Sequence, residues 1–219
     1  MTEKVENSST GKESKQKKEK KGSFFGSPLT ITKKIMCGGF VIGAITISII
    51  MLAVGYSPRT RALSAIGEDY RWLFFAWGVC TASATYLNLK LLATRLQVKN
   101  RIFDIFLLVG CSMGIVTVLI LGMDPIIRAI HVSSAMLFGV ITALCLVFLL
   151  FIKVRRKNKR TSLPYITAIA LAAVIFAFTS IQVGWFTALT QVLLANICLI
   201  IMFISNFLER WPAELPARK

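Results

Sequence analysis

The chain of 219 residues is 55% hydrophobic, has a mean hydropathy of +0.68 and carries a formal net charge of +16 at pH 7. Its apolar residues fall in long blocks, and both features exclude an ordinary soluble domain of this size. The positive charge would suggest a nucleic-acid partner in a soluble protein, but here it lies between apolar blocks, as in membrane proteins, so we expect no nucleic-acid binding.

Residues 1–34 form a polar first segment with nine lysines against four glutamates. It has almost no apolar content before Phe24, so we expect a disordered, cytosolic tail. Two interpretations stay open. The tail is a solvated segment that fixes orientation, or Lys15 to Lys21, followed by Phe24 and Phe25, lies on anionic lipid.

Six apolar blocks follow, each long enough to cross a membrane as a helix, and they form one membrane domain over residues 35–208. Small residues four apart, Gly39 with Gly43 and Gly110 with Gly114, favour close helix packing. The sequence therefore predicts an all-α protein, a six-transmembrane-helix bundle. The predicted spans cover residues 35–55, 72–90, 102–122, 125–152, 164–182 and 185–208, with Asn88, Gln191 and Asn196 as interhelical hydrogen-bonding residues.

The basic residues of the chain alternate from one side of the predicted membrane to the other. The inner segments hold 22 of the 26 lysines and arginines, and the outer segments hold only Arg59, Arg61, Arg71 and Arg128. Because positive loops stay in the cytosol, we expect both termini to be cytosolic, including a short polar tail over residues 209–219.

The five cysteines and the single histidine bear on disulfides, metals and cofactors. Each cysteine lies inside an apolar block, so no disulfide framework is implied. No CxxC pair or Cys/His spacing typical of a metal site occurs. A lone His131 argues against haem-based electron transfer, which uses paired axial histidines. We therefore expect no metal and no cofactor.

The start of the fourth span is the most informative stretch of the sequence. Asp124 is a good N-cap, and Pro125 falls at the first helical position, where its missing N–H does no harm. Arg128 lies four residues after Asp124, so the two side chains can pair. His131 then lies just below the membrane surface, where an ionisable group needs a partner or a function.

A second polar cluster precedes the second span and is predicted to lie on the same outer face. Carboxylates and arginines from the two clusters would together bind a zwitterionic or anionic lipid head group. Structural explanations stay open beside this hypothesis: the acidic residues cap helices, and the histidine joins two helices. The predicted head-group residues are Glu68, Asp69, Arg71, Asp124, Arg128 and His131.

The same face also offers a catalytic alternative. Ser64 would attack, His131 would act as its base and Asp124 would orient the imidazole. The sequence lacks a GxSxG elbow and an HExxH motif, so this hypothesis depends on these three residues meeting in space.

Two motifs resemble a known family. Residues 62–68 followed by Phe74 or Phe75 resemble the S-x-x-G … F outer loop of the Frag/DRAM/Sfk family, which includes the Cwh-type N-terminal domain. His131 and Ala135 followed by Phe138 resemble that family's H-x-x-x-A … F fourth span. The family includes damage-regulated autophagy modulators, GPI-anchor lipid-remodelling proteins and proteins of plasma-membrane lipid organisation.

The resemblance implies a multi-pass protein that binds membrane lipids and supports lipid homeostasis. The expected form is GPI-lipid remodelling or phospholipid distribution in the Golgi, endoplasmic reticulum, lysosome or plasma membrane. Two alternatives stay open: a membrane-embedded lipid acyl hydrolase or transferase that uses Ser64 and His131, and a non-catalytic modulator of autophagy. The family carries no agreed catalytic residues, so the resemblance does not make the chain an enzyme.

Overall fold

The structure is a computed structural model. It describes residues 31–55, 62–122, 124–156 and 187–208, together with positions 165, 167, 170, 173, 174, 177 and 181. Within these ranges the backbone forms helices joined by short turns, with no strand. The lysine-rich tail up to residue 30, most of the predicted fifth span and the tail after residue 208 lie outside the described residues.

The helices follow the predicted apolar blocks closely but extend beyond several of their ends. The helix of the second predicted span ends at Arg95, and the helix of the fourth ends at Arg156. Both are longer than the apolar block, because a helix can continue through the polar residues that follow the block. The predicted loop before the second span contains a short helix of its own. The helices are α1 (Ile31–Val54), α2 (Leu63–Asp69), α3 (Arg71–Arg95), α4 (Arg101–Leu119), α5 (Pro125–Arg156) and α6 (Ala188–Phe203), which continues as a π-helical turn over Ile204–Leu208.

Among the residues that the structure describes, four helical segments are long and apolar enough to cross a membrane: Ile35–Val54, Arg101–Leu119, Pro125–Arg155 and Ala188–Phe207. The described part of the chain is all-helical, and the protein is a multi-pass integral membrane protein, as predicted. The helix α3 is not among the four, because polar residues such as Asn88 and Lys90 interrupt its apolar character.

The helix α3 lies at the centre of the bundle. It packs between α1 and α4 and also contacts α5 and α6, which explains how it tolerates buried polar residues. Large apolar side chains on α1, α4 and α5 point outward instead, as lipid-facing residues do. These include Ile42, Ile105, Phe106, Leu144 and Phe151.

The bundle has two ends, which we name by one residue each. The Asp124 end holds the starts of α3, α5 and α6, the short helix α2, and an apolar cluster that includes Leu63, Ile66 and Phe74. The Lys90 end holds the other ends of these helices. A larger apolar cluster that includes Leu107 lies next to it. All the predicted head-group residues belong to the Asp124 end.

The glycine pair in α4 sets the distance between α4 and α5. A Cβ atom added to Gly110 would lie 2.8 Å from Ile141 Cγ2, and one added to Gly114 would lie 2.9 Å from Phe138 Cδ2. Both distances are shorter than side chains tolerate, so the predicted close helix approach is confirmed for this pair.

The glycine pair in α1 behaves differently from the prediction. Gly39 is exposed, and an added Cβ would meet nothing within 4 Å, whereas one at the buried Gly38 would lie 3.3 Å from Phe203. The reason is helical phase: the buried stripe of α1 passes through Cys37 and Val41, and Gly39 lies on the opposite face. Close packing through Gly39 was therefore a wrong prediction.

Candidate functional site

Asp124 caps the start of α5. The backbone N–H groups of Ile126 and Ile127 donate to its Oδ1 atom, at 2.8 and 3.4 Å. The predicted N-cap is therefore confirmed. The predicted pairing with Arg128 is not formed by the two side chains, since the carboxylate is directed at the backbone; Arg128 instead donates its backbone N–H to the Asp124 carbonyl oxygen, at 2.8 Å.

His131 is buried, with only 9% of its surface exposed. Its Nδ1 atom lies 2.8 Å from the carbonyl oxygen of Thr117 and 2.9 Å from that of Ile120. Because both neighbours are acceptors, Nδ1 must carry a proton and donate it. The helix α4 ends at Leu119, where the last carbonyl groups lack intrahelical partners. His131 thus caps the end of α4 from the neighbouring helix α5.

Hydroxyl groups extend this contact into a small buried network between α4 and α5. Thr117 Oγ1 lies 3.0 Å from Ser134 Oγ and 2.8 Å from the Met113 carbonyl oxygen. The Ser134 hydroxyl donates to the carbonyl oxygen of His131, at 2.9 Å. The network satisfies these polar groups inside the bundle, so the geometry gives His131 a role in joining two helices.

A ring contact places two arginines at one level of the Asp124 end. The rings of Phe74 in α3 and His131 in α5 contact each other, with centroids 6.3 Å apart. Both helices begin at this end, and Arg71 and Arg128 each lie three residues before the contacting ring. At about 1.5 Å of rise per residue, both arginines therefore lie one turn above the contact. Both side chains are exposed.

Acidic and aromatic residues lie next to Arg71 in the chain. Glu68 and Asp69 are exposed at the end of α2, and Trp72 at the start of α3 is 84% exposed. The N-cap of α3 is Tyr70, whose own side chain makes no capping bond. An exposed tryptophan beside charged residues is typical of a membrane interface.

Ser64 and His131 do not form the nucleophile–base pair that the catalytic hypothesis requires. Ser64 is half-buried on α2, a helix that packs against α3 and α6. His131 directs Nδ1 at carbonyl groups of α4, and within the described part of the chain no hydrogen bond joins it to Ser64. Of the six predicted head-group residues, five are exposed charged groups, and His131 is buried.

The Lys90 end contains polar contacts between helices that were not predicted as a site. The Asn206 amide donates to the carbonyl oxygen of Asn88, at 2.9 Å, and Arg95 donates to the carbonyl oxygen of Asn206. Lys153, fully buried, donates to Ser205 Oγ at 2.7 Å. Asn88 thus forms interhelical hydrogen bonds, as predicted. The π-helical turn supplies the partners, and no sequence motif marked it.

An ion pair and a groove lie between α3 and α4 toward the Lys90 end. Lys90 Nζ is 2.5 Å from Asp104 Oδ1, and these side chains are 23% and 45% exposed. Beside them an apolar groove of about 290 Å³ opens on the bundle surface. It is lined by Phe40, Ala82, Ser83, Tyr86, Leu87, Leu108, Cys111, Ser112 and Ile115.

Neither a search for metal ligands nor comparison with known proteins adds a further site. The described residues contain no group of three or more His, Cys, Asp or Glu side chains placed to hold a metal ion. No family model, no curated protein and no solved structure matches this chain.

Proposed function

We propose that this protein binds phospholipid head groups at its Asp124 end and serves lipid homeostasis without catalysis of its own. The specific form that the Frag/DRAM/Sfk resemblance implies is GPI-lipid remodelling or phospholipid distribution. The observation that carries the proposal is the placement of two exposed arginines, Arg71 and Arg128, at one level on neighbouring helices.

Arginine suits this role because its planar guanidinium donates paired hydrogen bonds to phosphate oxygens. Two arginines at one level offer this geometry from both sides of a phosphate. The exposed carboxylate of Glu68, near Arg71 in the chain, would receive an amine of the same head group. Trp72 would hold this surface at the depth of the membrane interface.

Binding fits the geometry better than acyl transfer does. A serine nucleophile needs a base within hydrogen-bonding reach. Within the described part of the chain, Ser64 has no such bond to His131. His131 acts instead as a positioning residue, since it fixes the start of α5, and with it Arg128, against the end of α4.

The membrane arrangement that accompanies this proposal has six spans and cytosolic termini. Four of the spans are the long apolar segments. The other two are α3, which is second in chain order, and the predicted span over residues 164–182, which is fifth. The positive-inside rule then places the Asp124 end on the outer or luminal face. The proposed location is the endomembrane system or the plasma membrane.

Lipid binding by the purified protein tests the proposal. Native mass spectrometry would count phosphatidylglycerol, phosphatidylethanolamine and diacylglycerol bound to the wild type and to Arg71→Gln/Arg128→Gln. Charge-assisted hydrogen bonds contribute about 1.5–3 kcal/mol each, so we expect the double variant to bind both phospholipids at least about tenfold more weakly at this site.

The matched control is Arg155→Gln, which removes an exposed arginine from the opposite end of the bundle, on α5. This variant should bind phospholipid like the wild type, and diacylglycerol, which lacks phosphate, should respond to none of the substitutions. Equal phospholipid binding by the double variant and the wild type would contradict the proposal.

A further inference from the structure

We infer that the groove between α3 and α4 is a second lipid site, which holds an acyl chain and presents the Lys90–Asp104 pair to a zwitterionic phospholipid head group. The inference goes beyond the proposed site at the Asp124 end and does not depend on it. It rests on how the groove and the ion pair share the same helix faces.

The walls of the groove lead directly to the ion pair. Tyr86 lines the groove and lies four residues before Lys90 on α3. Leu108 lines it from α4 and lies four residues after Asp104. Residues four apart share one face of a helix, so each charged side chain lies one turn beyond the apolar wall on its own helix. The ion pair then bridges the two walls at the end of the groove.

Small residues create the space for an acyl chain. The lining includes small residues, Ala82 and Ser83 on α3 and Ser112 on α4, together with the larger rings of Phe40 and Tyr86. The groove of about 290 Å³ is open to the side of the bundle and lined mostly by apolar atoms. An open apolar groove on a lipid-facing surface matches a hydrocarbon chain, which needs no hydrogen-bonding partner.

The charged pair selects the head group. Lys90 has three N–H donors, so its ammonium group can bind a phosphate oxygen while it pairs with Asp104. The Asp104 carboxylate, 45% exposed, has acceptor capacity for an ammonium group. A head group with one phosphate and one ammonium therefore meets an opposite charge at both positions, whereas an anionic head group meets the carboxylate with a like charge.

Folding stability gives a weaker explanation for this pair. Solvent-exposed ion pairs contribute only about 0.2–1 kcal/mol, because they lose side-chain entropy and are screened. The pair lies at the end of the groove, where it can bind the head group of a lipid whose acyl chain lies in the groove. We take phosphatidylethanolamine as the probe, since its compact ammonium group can donate hydrogen bonds to the carboxylate.

The test measures lipid selectivity in the Arg71→Gln/Arg128→Gln background, so that the site at the Asp124 end does not contribute. Native mass spectrometry would compare phosphatidylethanolamine with phosphatidylglycerol of identical acyl chains. We expect the parent to prefer phosphatidylethanolamine about tenfold, which corresponds to about 1.4 kcal/mol. Asp104→Asn keeps the shape but removes the negative charge, so it should abolish the preference.

A second variant tests the groove itself. Ser112→Phe places a ring in the groove from an exposed position of α4 and should weaken binding of both lipids about tenfold. The matched control Val109→Phe adds the same ring at an exposed position of α4 that does not line the groove, and it should bind like the parent. Unfolding temperatures confirm that each variant is folded.

Two results would overturn the inference. One is equal binding of the two lipids by the parent, and the other is an unchanged preference in Asp104→Asn. Because Asp104 is partly exposed, its substitution leaves the fold intact and gives an answer even if Ser112→Phe does not fold. The parent of this test already lacks the two arginines of the Asp124 end, so the result does not depend on that site. Either proposal can therefore be refuted without the other.

Discussion

The Nδ1 atom of His131 lies 2.8 Å from the carbonyl oxygen of Thr117, and this bond joins the start of α5 to the end of α4. The contact serves two purposes. It gives a donor to the unpaired carbonyl groups at a helix end, and it fixes the level of Arg128 one turn above. The single histidine of the chain therefore supports the proposed site without touching its ligand.

Replacement of His131 separates this role from direct head-group contact. His131→Leu leaves a buried carbonyl group of Thr117 and a partly buried one of Ile120 without their donor, so we expect the free energy of unfolding to fall by about 1–3 kcal/mol. Glutamine retains a donor, and His131→Gln should lose less stability and keep phospholipid binding. Thermal unfolding in detergent and native mass spectrometry measure the two effects. A folded His131→Gln variant whose phospholipid binding falls as far as that of Arg71→Gln/Arg128→Gln would show that the imidazole contacts the head group.

The glycine in the middle of α4 gives a prediction about packing. Gly114→Leu would push its side chain into Phe138, since even a Cβ atom would lie 2.9 Å from that ring. We expect a loss of about 1–3 kcal/mol, as for other overpacked cores. Gly139→Leu is the control, because a Cβ there meets nothing within 4 Å. Equal unfolding temperatures for the two variants would mean that α4 and α5 do not pack as described.

A hydrogen bond to the π-helical turn gives a prediction at the Lys90 end. Asn206→Ala removes the amide that donates to the carbonyl oxygen and to Oδ1 of Asn88, at 2.9 and 3.1 Å. Interhelical hydrogen bonds in membranes contribute about 0.6 kcal/mol on average and at most about 1.7, so we expect a loss in this range. Chemical denaturation in mixed micelles would measure it. A variant as stable as the wild type would indicate that α3 and the turn are held together by packing alone.

The proposed orientation predicts where glycans attach. An Asn-X-Ser/Thr sequon introduced near Thr60, within an insertion that keeps it clear of the membrane, should be glycosylated on expression in eukaryotic cells. The natural sequon at Asn7 should stay unmodified, because the basic segments are predicted to be cytosolic. Glycosylation at Asn7 but not near Thr60 would reverse the proposed topology.

Much of the fold follows from local features of the sequence. The start of α5 was predictable because Asp124 and Pro125 carry a capping signal that acts through neighbouring backbone groups. The α4–α5 contact was predictable from Gly110 and Gly114. The same reasoning failed for Gly39, since spacing alone does not say which face of a helix is buried.

The short helix α2 and the partners of His131 were harder to predict, for physical reasons. Leu63 and Ile66 of α2 are buried by α3 and α6, a tertiary contact that has no local pattern in the chain. The partners of His131 are backbone carbonyl groups at a helix end, and every residue type carries such a group. The two arginines were predictable from the sequence, but the ring contact that sets Arg71 and Arg128 at one level was not, because it is a tertiary contact between α3 and α5.

The proposed function has the protein act on membrane lipids by binding and not by acyl transfer. Lipidomics of cells that lack the protein, with GPI-anchored and bulk phospholipid pools measured separately, would test this in the cell. We predict an altered pool that is restored by the wild type and by Ser64→Ala but not by Arg71→Gln/Arg128→Gln. Unchanged pools, or restoration that requires Ser64, would refute the proposed function.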